Sequence, residues 1–75
     1  MKVEKLTAKE IKFRVKNMVN NQMGLISKSD PYHRQQRAAR MAAREALAYL
    51  SDERYQVSPV ARNAIKNWAA DLNQI

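Results

Sequence analysis

Along the chain, apolar positions recur every three or four residues in three stretches, and turn signals separate the stretches. Gly24 closes the first, Asp30-Pro31 opens the second and Ser58-Pro59 opens the third. Asp or Ser before Pro is a helix start, because the side-chain oxygen accepts from free amides and Pro has no amide to leave unpaired. The pattern predicts three helices, without internal repeats or low-complexity segments.

The stretch from Ser58 to Ile75 is the clearest. At about 100° per residue, Ala61, Ala64, Ile65, Trp68, Leu72 and Ile75 fall within one arc, away from Arg62, Asn63, Lys66, Asn67, Asn73 and Gln74. Trp68 is expected to anchor the core. In the stretch from Pro31 to Leu50, Ala38, Ala39, Ala42, Ala43, Ala46, Tyr49 and Leu50 share one side, with Tyr32 beside them. His33, Arg37, Arg40 and Arg44 project from the opposite side. The Ala side should let another helix approach closely.

The stretch from Thr7 to Met23 admits two readings. Thr7-Ala8-Lys9-Glu10 fits a capping box, and Ala8, Ile11, Val15, Met18, Val19 and Gln22 then share one helical face. That leaves Phe13 on the opposite side, unless Leu6 or the third helix covers it. The rival is a strand, since Ile11 to Lys16 alternates apolar and charged with period two. The capping box and the continuation through Met18 and Val19 favour helix. Of the two connections, Leu25 to Ser29 should tuck Leu25 and Ile26 into the core. Ser51 to Val57 is polar and should hold a turn or a short helical piece.

Composition narrows the chemistry. The 75 residues suit a single domain, 1–75. No Cys is present, so there is no disulfide, thiol nucleophile or cysteine-based zinc site, and a single Gly excludes a glycine-rich phosphate loop. The eleven Ala make a thin core, because Ala buries little surface at about 25 cal/mol per Å². The expectation is an all-α fold, a compact three-helix bundle, and surplus apolar surface leaves room for a homodimer. The charged start leads into no long apolar run, which predicts no membrane span and a cytoplasmic location.

Charge is placed unevenly. Residues 1–44 hold 11 Lys and Arg against three acids, whereas residues 45–75 hold three against four. So one-sided a field favours an anionic partner. The Arg37, Arg40 and Arg44 row is the sharpest feature, because guanidinium forks match phosphate oxygens. Phe13 among Lys9, Lys12 and Lys16 is the second: an aromatic among cations suits base stacking, and equally a hydrophobic anchor in a protein interface.

Other readings are weaker. Gln56 to Trp68 looks faintly like the turn and second helix of a helix-turn-helix, but no Gly marks the turn and the reading helix carries only Arg62 and Lys66. A ribbon-helix-helix would need residues 11–16 as a ribbon. Around His33 no Ser/His/Asp set can be assembled, and the carboxylates are scattered, so the chain is expected to be no enzyme and to use no cofactor or metal. An Ala-backed basic helix anchors poorly in lipid, which argues against a membrane partner. No motif assigns a family; in size and charge the chain resembles the small accessory proteins that phages and plasmids encode to manage nucleic acid or disable a host factor. The expected function is nucleic-acid binding, DNA or RNA, through Lys9, Lys12, Phe13, Lys16, Arg37, Arg40 and Arg44. The alternative is a modulator that docks this basic face on an acidic protein surface.

Overall fold

The computed structural model describes residues 3–25 and 31–75. In chain order the elements are β1 (Glu4–Leu6), α1 (Ala8–Leu25), α2 (Pro31–Ser51), β2 (Tyr55–Val57) and α3 (Pro59–Leu72). The fold is an all-α three-helix bundle, carrying one small two-stranded parallel sheet. α2 packs on both α1 and α3, most extensively on α3.

Local chemistry explains where the helices begin. Before α1, the Glu10 amide donates to the Thr7 hydroxyl at 3.2 Å, and the Thr7 amide donates back to the Glu10 carboxylate at 3.3 Å. This reciprocal pair is the expected capping box. Before α3, the Ala61 amide donates to the Ser58 hydroxyl at 3.2 Å, with Pro59 in the first turn. α2 begins at Pro31 as the sequence predicts. The expectations for Asp30 as a cap, and for the side chains of Leu25, Ile26 and Tyr32, fall outside the described residues.

Residues 11–16 are helical, and the strand reading is overturned along with the ribbon-helix-helix that needed it. Once the capping box starts a helix, continuous burial of Ile11, Val15, Val19 and Met23 makes the 3.6-residue period the one that fills the core. Gln22, expected on that face, is exposed and Met23 takes its place. Gly24 does not end α1, which runs on to Leu25 with no positive φ at the glycine.

The Ala face of α2 is the close-packed one: Ala39, Ala42, Ala43 and Ala46 are buried, with Leu50 at its end. α3 turns Ala61, Ile65 and Ala69 inward. This stripe is rotated from the expected arc: Ala69 is buried where Trp68 was expected to be. Trp68 and Leu72 are left half-buried at the border of the core and Ile75 is exposed. Trp68 is therefore a border residue where the pattern predicted a central anchor.

The two strands were not expected. β1 and β2 pair in parallel with Leu6 opposite Val57, and both of these side chains enter the core. The connection after α2 is thus a turn followed by β2, where a turn or short helical piece was expected. The Asp52 carboxylate holds that turn, accepting from the Arg54 amide at 2.9 Å and from its guanidinium at 2.7 Å. A strand directly before α3 replaces the tight turn of a helix-turn-helix.

Candidate functional site

The fold sorts the cations into those spent on structure and those left facing solvent. Arg34 reaches back to the Met23 carbonyl in the last turn of α1, at 3.2 Å. Arg62 does the same for the Leu50 carbonyl in the last turn of α2, at 3.0 Å. Each arginine thereby satisfies a carbonyl that the preceding helix cannot pair internally, and places positive charge at its negative end. Arg14 pairs with Glu4, and that hydrogen bond raises the guanidinium pKa above its ordinary value. Arg54 pairs with Asp52 and stacks over Tyr55, its guanidinium 5.5 Å from the ring centroid.

The arginine row of α2 is spent on none of these contacts. Arg37, Arg40 and Arg44 are exposed on the side of α2 turned away from the buried alanines, and they line a shallow surface with His33, Gln36 and Met41. No carboxylate lines this surface among the described residues. Its form follows from the sequence: positions 37, 40 and 44 stack on one helix face, and the opposite face is consumed by the Ala packing.

The α1 cluster is a separate surface. Phe13 is 65% exposed, so neither Leu6 nor α3 covers it; Leu6 itself is buried opposite Val57. Lys9, Lys12 and Lys16 line a depression with it, joined by Arg14 and Glu10. Lys12 differs from its neighbours, since its ammonium lies 5.7 Å from the centroid of the Trp68 ring on α3. The α1 and α2 clusters share no lining residue, each lying on the outward side of its own helix. The seven expected contact residues thus form two surfaces where the sequence reading joined them in one.

A third feature escaped the sequence. Between the helices runs a groove floored by Val19, Ala38, Ala39 and Ala42 and bordered by Trp68, Leu72 and Ile75. Lys16 lines both this groove and the Phe13 depression. Assigning Trp68 to the core hid it; the only sequence signal was the run of small residues in α2, which leaves space beside a bulky ring.

Among the described residues, no three His, Asp or Glu side chains are grouped to hold a metal ion, and no helix is long and apolar enough to cross a membrane. Comparison with protein-family models, curated proteins and solved structures finds no match.

Proposed function

We propose that the protein is a small non-catalytic accessory or regulatory protein that binds nucleic acid, gripping phosphates with the outward face of α2. The observation that carries this reading is the arginine row itself: three exposed guanidinium groups, aligned on a rigid helix, with no carboxylate on their surface. At 1.5 Å rise per residue, Arg37 to Arg44 spans about 10 Å, which puts the three side chains within reach of neighbouring phosphates of one strand. Planar forks on such a span suit successive phosphates without reading sequence.

The test is the salt dependence of affinity for a duplex and for a single strand of the same length. Phosphate contacts give a log–log slope of about −0.9 each on duplex and about −0.7 on single strands. Replacing Arg37, Arg40 and Arg44 together by Gln should flatten the duplex slope by about two to three units. Absence of binding even at low salt, or a slope untouched by the triple replacement, would refute this reading; an acidic protein retained under those conditions would favour the modulator.

A further inference from the structure

We infer that the α1–α3 side of the molecule is a docking site for an acidic, amphipathic segment of a partner protein, with Phe13 and the Trp68 groove taking its apolar side chains and Lys9 and Lys16 its carboxylates. This inference goes beyond the proposed function and uses none of the arginines of α2.

The Phe13 depression and the Trp68 groove adjoin at Lys16. Lys16 lines both, and Lys12 lines the first while its ammonium sits over the Trp68 ring that borders the second. Together the two depressions present an exposed phenyl ring, a half-buried indole, and Leu72 and Ile75, with Lys9, Lys12 and Lys16 beside them and Asn20 and Gln35 on the groove wall. The apolar floor is Val19 with small alanines, which leaves room for a branched or aromatic side chain from outside.

Charge complementarity selects the partner. Among the described residues lining the two depressions, Glu10 is the one acid, and it is engaged in the Thr7 capping box. Arg14 is likewise held by Glu4. Lys9 and Lys16 therefore stand beside these apolar residues as exposed cations. A segment that places carboxylates beside two or three apolar residues satisfies both parts of the surface.

Single-stranded nucleic acid fits less well. Such strands need aromatic faces on which successive bases stack. Phe13 offers one face, but Lys12 covers a face of Trp68, and the groove floor is aliphatic. Side chains of a folded helix at i and i+4 fill an aliphatic groove better than planar bases do.

Trp68, the sole tryptophan, is a built-in reporter. The probes are tryptophan-free peptides of about twelve residues with Leu, Ile or Phe at i and i+4 and Glu or Asp elsewhere, a helix-in-groove pattern. Oligoglutamate and oligo-dT of equal length are the comparisons. At least one amphipathic peptide should give a saturable change in Trp68 fluorescence. Phe13→Ala and Lys16→Glu should each weaken it about tenfold or more, while the Gln replacements at Arg37, Arg40 and Arg44 leave it unchanged. Phe13 and Lys16 are exposed, so their variants should stay folded, with circular dichroism as the check. No saturable change with any peptide, equal affinity for oligoglutamate, indifference to Phe13→Ala, or tighter binding of oligo-dT would each overturn the inference. None of these results bears on the salt-slope test of the α2 row, so the two readings stand or fall separately.

Discussion

Leu6 and Val57 face each other as register partners in the parallel pair, 51 positions apart in the chain, and both side chains are buried, at 4% and 8% exposure. Each is followed at once by a hydroxyl cap, Thr7 or Ser58, and then by a helix. The pair thus ties the starts of α1 and α3 together and seals that end of the core. Three-residue strands cannot stand alone, so their order depends on this shared burial.

Removing either side chain should loosen both helices. Leu6→Ala is expected to cost about 2–5 kcal/mol in urea unfolding, and Val57→Ala somewhat less. Because the residues touch, the double variant should lose less than the sum, with a coupling of about 0.5–3 kcal/mol. Strict additivity would show that the strands do not cooperate.

The caps should act locally. Thr7→Ala and Ser58→Ala are each expected to cost about 1 kcal/mol. Glu10→Ala should lose most of its effect in a Thr7→Ala background, because the two form one reciprocal pair. A thermal-melt cycle on these three positions measures it.

Burial along α2 makes a sharp contrast. Ala46 has no exposed surface, whereas Ala48, two residues on, faces solvent. Ala46→Glu should unfold the protein, since a buried unpaired carboxylate costs several kcal/mol. Ala48→Glu should stay within about 0.5 kcal/mol of the parent. If both melt alike by circular dichroism, the orientation of α2 is wrong.

Two arginines should separate stability from binding. Arg62→Ala removes the donor to the Leu50 carbonyl and should cost about 1–3 kcal/mol, a hydrogen bond to a charged group, with no change in salt slope. Arg44→Ala should leave the melting midpoint in place and weaken nucleic-acid affinity. The reverse assignment would mark α3 as the contact helix.

The Asp52–Arg54 pair sets a pH dependence. Hydrogen bonds from the Arg54 guanidinium and backbone hold the Asp52 carboxyl below its usual range in the folded state. A depressed folded pKa means that the unfolded chain binds the proton more readily. The pair's contribution is therefore full above the ordinary Asp value of about 3.9 and is lost as pH falls through the lower folded value. Asp52→Asn should flatten this part of the acid limb of a stability–pH curve, and an unchanged limb would show that the pair contributes nothing there.

Local rules in the sequence determined the helices. Hydroxyl caps, Pro59, the alanine side of α2 and the arginine side opposite it are all expressed within a few residues, and the structure has them where the pattern placed them. The tertiary structure decided what depends on distant partners. Parallel pairing of Leu6 with Val57 has no local trace, because three residues are too few to show alternation and the partner lies 51 positions away. That pairing buries Leu6, while Phe13 stays exposed on the face of α1 opposite Ile11 and Val15. The packing of α3 buries Ala69 and leaves Trp68 at the border of the core, beneath the Lys12 ammonium. The carbonyls at the ends of α1 and α2 claim Arg34 and Arg62. A residue's periodic position fixes the side of its helix, but which neighbour covers that side is a matter of packing, and only the assembled chain settles it.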